Sequence, residues 1–126
     1  MNIQIFGTSK CQHTRKAQRF FKERGIPFQY IDLAVKGLSK GELNSVRAVV
    51  GIENLMDTQG QRYARRNLKY LTHDPEEELL TDPLLFKTPI VRNGQKATVG
   101  YAPDIWKGWK PVIRQRSNPA VERRLP

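Results

Sequence analysis

NIQIFGTSKCQHTRKAQRFFKERGIPFQYIDL (residues 2–33) holds two short apolar runs separated by one basic, amphipathic segment. The first run alternates and stops at Gly7, the pattern of a strand. From Cys11 onward, Ala17, Phe20, Phe21 and Arg24 recur at helical spacing, and Gly25 suits the position just past a helix C-terminus. Pro27 then opens a second strand. A strand, a helix and a strand in direct succession predict a parallel β-α-β unit with a right-handed crossover.

The rest of the chain extends this unit. LSKGELNSVRAVVG (38–51) predicts a capped helix, with Ser39 at the N-cap, Glu42 as its capping-box partner and Gly51 as the stop. IENLMDTQGQRYARRNLKYL (52–71) reads as loop and short helix with a turn at TQG. In DPEEELLTDPLL (74–85), Asp74 suits an N-cap, Pro75 the first helical position and the glutamates the first turn. TPIVRNGQKATVGY (88–101) predicts a hairpin, its NG pair suited to a type I′ turn. APDIWKGW (102–109) gives a last short helix. The predicted class is therefore α/β: a β-α-β start, a helical segment, then β-β-α.

Composition narrows the function classes. The chain has 126 residues, a hydrophobic fraction of 38%, no apolar run of membrane-spanning length and no signal-peptide pattern at its start. Its one cysteine excludes an internal disulfide. A monomeric protein of the cytoplasm, with no membrane partner, is the expectation. The net charge of +10 is uneven: from Lys107 onward six basic residues stand against Glu122 alone. Residues 110–126 hold three prolines and little periodic pattern, and read as a basic, flexible tail. Such a tail can bind nucleic acid or acidic proteins. Without an interleaved aromatic residue for base stacking, solvated charge is the simpler reading.

Cys11 carries the chemistry. A thiol at a strand-to-helix turn meets the unpaired amides and the positive end of the helix, which favour thiolate over thiol. Lys10 and Arg15 flank it with positive charge, and Thr14 can bring a hydroxyl or an amide to the sulfur. The alternative is an inert, buried cysteine. His13 and the distant His73 lack the further ligands that a metal site needs, so no metal is expected. Pro89, in KTPIV, stands at a strand entrance, where the missing amide is tolerated.

CQHTRKA (11–17), GIPFQYID (25–32), KTPIVRNG (87–94) and VGY (99–101) together resemble the glutaredoxin-coupled arsenate reductase and Spx family, over roughly residues 1–109. The resemblance implies one thioredoxin-like domain with an inserted helical segment, ahead of the tail at 110–126. It implies a cis-proline at Pro89, with Thr88 and Pro89 beside Cys11. In arsenate-reducing members the matching cysteine attacks arsenic, and glutathione and glutaredoxin discharge the adduct, so no second internal thiol and no bound cofactor are needed. Three arginines hold the oxyanion there. This chain has Thr88 before the proline, Gln59 in the central loop, and Val99 and Gly100 near the third position, while Arg15 matches a basic residue of the cysteine helix. Weak or absent arsenate reduction is the expectation, with Arg62, Lys87 and Arg92 as the neighbouring cations that would have to substitute. Spx-type members instead are regulators that bind the RNA polymerase α subunit, and many carry a Cys-x-x-Cys redox switch, which Thr14 removes here.

Overall fold

The computed structural model describes residues 2–71 and 73–109. The proposed tail, residues 110–126, lies outside them. β1 (Ile3–Gly7) pairs in parallel with β2 (Phe28–Asp32) through the crossover helix α1 (Gln12–Glu23), as the opening stretch requires. β3 (Ile90–Asn93) pairs antiparallel with the other edge of β1, and β4 (Lys96–Val99) closes the hairpin, giving the order β2-β1-β3-β4.

β1 is central and covered on both faces, so strand alternation splits its side chains between two cores. Ile3 and Ile5 pack with Ala17, Phe20 and Phe21 of α1 and with Trp106 of α5 (Pro103–Trp106). Phe6 faces the opposite side, against Leu43 and Val46 of α2 (Lys40–Val50) and Leu79 of α4 (Pro75–Thr81). The caps read from the sequence form. The Ser39 hydroxyl accepts from the Glu42 amide while the Glu42 carboxylate accepts from the Ser39 amide. The Asp74 side chain accepts from Glu76 with Pro75 at N1. Gly25 takes φ +67°, the left-handed conformation that ends α1.

The hairpin differs from expectation in register. Asn93 pairs with Lys96, so the central turn residues are Gly94 and Gln95 rather than Asn93 and Gly94. Gly94 has φ +60°, and among the described residues Asn67 is the one non-glycine with positive φ. Positive φ at the first central residue alone is the type II′ pattern, which needs a glycine there and accepts glutamine second.

The segment between β2 and β3 is pinned by charge. Asp82, 8% exposed, accepts from Arg62 of α3 (Gln61–Arg65) at 2.8 Å and from Arg66 at 3.0 Å, and Arg66 also reaches Glu78. Burial pushes the Asp82 carboxyl up, but the two guanidinium partners outweigh it and hold the group below the usual carboxylate range. Arg47 of α2 pairs with Glu76 of α4. Two backbone bonds then fasten this segment to the strand that follows: Asp57 N–H donates to Leu85 at 2.8 Å, and Lys87 N–H donates to Leu55 at 2.7 Å.

On the other face, the buried Trp106 indole donates to the Thr98 hydroxyl at 2.8 Å and so fixes α5 to β4. Replacing Thr98 with valine keeps the volume and strands the indole N–H. We expect Thr98→Val to lower the urea unfolding free energy by about 1–3 kcal/mol at an unchanged m-value. An unmoved midpoint would show that this bond does not hold α5.

Candidate functional site

The site begins where β1 ends. Gly7 lies against Thr14, and a Cβ there would overlap the Thr14 hydroxyl and methyl, so only glycine lets the first turn of α1 sit this close to the strand end. The Cys11 amide donates to Thr8 at 3.1 Å and its carbonyl accepts the first helical bond, from Arg15, at 3.2 Å. Cys11 is thus the N-cap of α1, in extended conformation, with its thiol partly exposed. Opposite the thiol runs the Thr88–Pro89 peptide, which is cis, and the protonated sulfur donates to the Thr88 carbonyl at 3.7 Å.

Burial raises the Cys11 pKa, yet hydrogen bonds to the thiolate outweigh it and leave the group below its ordinary value. Thr14 and Thr88 supply side-chain donors, and the free amides of Thr14 and His13 supply backbone donors. These two amides are the third and second of the helix, unpaired in any α-helix. The Thr14 hydroxyl is 1% exposed and holds no standing hydrogen bond elsewhere, so it is free to turn to the sulfur when the proton leaves.

Lys10 and Arg15 act differently from expectation. Neither is among the groups that lower the thiol. The Arg15 guanidinium donates to the Ser9 carbonyl at 2.6 Å, and Lys10 lines an adjoining cleft with Arg62 and Arg65. Lys10 precedes the helix, and Arg15, though one turn on from Cys11, is tied to the Ser9 carbonyl, so nearness in the chain does not bring either charge to the sulfur.

Around the sulfur lies an open cavity of about 610 Å³ lined by Cys11, His13, Asn54, Asp57, Lys87 and Thr88, with Val99 and Gly100 at its side. Two positions where the resemblance expects arginine, Thr88 and Val99–Gly100, therefore do face the thiol, without a cation. Gln59 is exposed in the turn after Asp57 and does not line the cavity. Of the cations that would have to substitute, Lys87 is in the wall. Arg62 is committed to Asp82, and Arg92 on β3 donates to Gln4 at 2.7 Å, on the far side of the strand from α1. Asn54, Asp57 and Lys87 meet through the backbone bonds between residues 55–57 and 85–87, a pairing with no local signature. Lys87 was among the cations named from the sequence, whereas Asn54 and Asp57 were not. No cluster of three or more His, Cys, Asp or Glu positioned for a metal ion occurs among the described residues.

A sheet of order β2-β1-β3-β4 with one parallel pair, a thiol at the N-terminus of the crossover helix, and a cis-proline entering the facing strand define a thioredoxin-like protein built on one cysteine. The ArsC family profile matches residues 6–109. The chain belongs to the ArsC family. The uncharacterized protein YusI of Bacillus subtilis is 32% identical over 111 residues, covering 82% of this chain and 94% of that protein. The global transcriptional regulator Spx 2 of Oceanobacillus iheyensis is 29% identical over 129 residues, covering 87% and 94%. The fold is shared with an arsenate reductase from Vibrio cholerae, at TM-score 0.71 and 22% identity over 83% of this chain and 94% of that one.

Cys11 alkylation by iodoacetamide should follow the thiolate fraction, rising with pH and levelling above a midpoint below the ordinary thiol value of about 8.5. Thr14→Val removes a donor to the thiolate and should move that midpoint up. Lys10→Ala and Arg15→Ala should leave it in place. A wild-type midpoint at or above the ordinary value, or a shift produced by Lys10→Ala rather than Thr14→Val, would contradict this electrostatic account.

Proposed function

We propose that this chain is a thiol-dependent reductase in which Cys11 exchanges with a disulfide, and an external thiol completes the cycle. The observation that carries the reading is the set of hydrogen-bond donors around a part-exposed sulfur: two hydroxyls and two helix-start amides that favour thiolate. The thiolate attacks one sulfur of a disulfide, the S–S bond breaks, and the far sulfur departs as thiolate to take up a proton. Cys11 is then held in a mixed disulfide. With no second cysteine in the chain, a second thiolate must come from outside, and glutathione or a glutaredoxin has the right chemistry. Its attack leaves the substrate half in a new disulfide and returns Cys11 as thiolate, so one disulfide is reduced and one is formed. The Thr88 carbonyl beside the sulfur can align a peptide backbone during the exchange.

Charge in the cavity supports a disulfide over an oxyanion. Arsenate must approach a thiolate, and here it also meets the Asp57 carboxylate, with Lys87 as the facing cation. Each charge-assisted donor absent from the wall forgoes about 1.5–3 kcal/mol of anion binding. A disulfide is neutral and bears no such repulsion. A second reading, regulatory binding of the RNA polymerase α subunit without turnover, draws on the relation to the Spx 2 regulator. In that case Cys11→Ser would keep the binding function intact.

Glutathione-coupled turnover measured with a small mixed disulfide and with arsenate separates these readings. The mixed disulfide should be reduced by wild type and not by Cys11→Ser. Arsenate should be reduced poorly, and Thr88→Arg should improve its apparent affinity about tenfold to a hundredfold. No turnover of any disulfide would remove the reductase reading. Efficient arsenate turnover by wild type would show that the missing arginines do not matter.

A further inference from the structure

We propose that a basic groove along the outer side of α1 is the docking surface for an acidic polypeptide segment that presents its disulfide to Cys11. The inference rests on the exchange chemistry above and names the class of macromolecule that the site accepts.

With Ala17, Phe20 and Phe21 turned to the sheet, α1 sends Lys16, Arg19 and Glu23 outward along one ridge. Lys107, just past α5, faces them. Between the two elements lies an open groove of about 390 Å³, with Phe20 and Arg24 on one wall and Tyr101 on the other. Four cations meet one carboxylate here. Among the described residues, Lys16 and Arg19 form no ion pair; Lys107 has the exposed Asp104 beside it at 3.9 Å, and Arg24 lies over the Phe20 ring at 3.7 Å. Like charges at i, i+3 on a helix oppose folding slightly, and Glu23, four residues after Arg19, with the Tyr101 ring near Lys16, offsets only part of this. An acidic partner would offset the rest.

The groove adjoins the thiol cavity. Tyr101 stacks with His13 at 6.4 Å between ring centroids, His13 lines the cavity around Cys11, and the Lys16 ammonium lies 5.8 Å from the Tyr101 centroid. From Cys11 to Arg24 the helix runs about 20 Å, the span of about six extended residues. An extended acidic segment lying in the groove would therefore place a neighbouring disulfide at the sulfur. Nucleic acid fits less well. Tyr101, the exposed aromatic of the groove, is a single ring already engaged by His13 and, edge to face, by Trp106 at 5.6 Å, so the groove lacks the row of free aromatics that stacks successive bases.

The test uses the full Cys11→Ser chain and a fluorescent polyglutamate peptide, followed by anisotropy at rising salt. The peptide should bind, weaken with salt, and lose about tenfold in affinity when Lys16→Glu and Arg19→Glu are combined. The milder pair Lys16→Gln and Arg19→Gln, checked for native circular dichroism, should lose about threefold. Affinity unchanged in both variants, including binding carried by the basic tail alone, would overturn the proposal. So would tighter binding of oligothymidylate than of the peptide. Because Cys11 is absent from this assay, failure of the thiol chemistry cannot mimic failure of the groove. In the chain with Cys11, exchange with the same peptide bearing a cysteine–glutathione disulfide should slow about tenfold on charge reversal, while iodoacetamide reacts at the same rate. An equal fall in both rates would mean that the groove charges act on the thiol itself, and would overturn the docking role.

Discussion

The close approach of Gly7 to Thr14 fixes where α1 starts relative to the sheet, and the rest of the site depends on that distance. A side chain at position 7 would push the first turn of the helix away from the strand end. With the turn held close, the amides of His13 and Thr14 converge on the Cys11 sulfur instead of on solvent. β3, paired directly with β1, then brings Thr88 and the cis Pro89 against the same sulfur. One strand thus aligns both halves of the site: its C-terminal end launches the helix, and its antiparallel partner begins beside it.

The electrostatics that result are local. Hydroxyls and amides, rather than neighbouring cations, decide the state of the thiol, and they do so at short range where solvent and salt screen little. The formal charges are deployed elsewhere. Arg62 and Arg66 are spent on Asp82 and Glu78, holding together the helical segment between β2 and β3. Lys16, Arg19 and Lys107 gather along α1 outside the cavity. A basic protein can therefore have a thiol cavity poor in cations, and this separates thiolate activation from anion binding.

Much of the fold was legible because its signals are local. The alternation of residues 2–6, the spacing of Ala17, Phe20 and Phe21, the Ser39–Glu42 box and the Asp74–Pro75 start each state a backbone choice within a few residues. The cysteine's place at a helix N-cap followed from the same signals, and the cis-proline from family resemblance. What was not legible depends on pairing across the chain. Asn54, Asp57 and Lys87 share a wall because residues 55–57 bond to residues 85–87, about thirty positions away. The hairpin turn slipped one residue from the expected NG pair because strand pairing with β1 fixed the register at Asn93, and a glycine at the first turn position satisfied it. Lys10 and Arg15 looked like thiolate partners by their place in the chain, but Arg15 bonds the Ser9 carbonyl and Lys10 lines an adjoining cleft.

The central claim is that one thiol does the chemistry and a foreign thiol restores it. Intact-mass measurement of the full chain, first treated with glutathione disulfide and then with reduced glutathione, tests that claim most directly. The account predicts a single glutathione adduct on Cys11, formed faster as pH rises toward the thiolate midpoint, then removed by reduced glutathione to return the starting mass. A chain that forms no adduct, or one whose adduct persists in excess reduced glutathione, would contradict it.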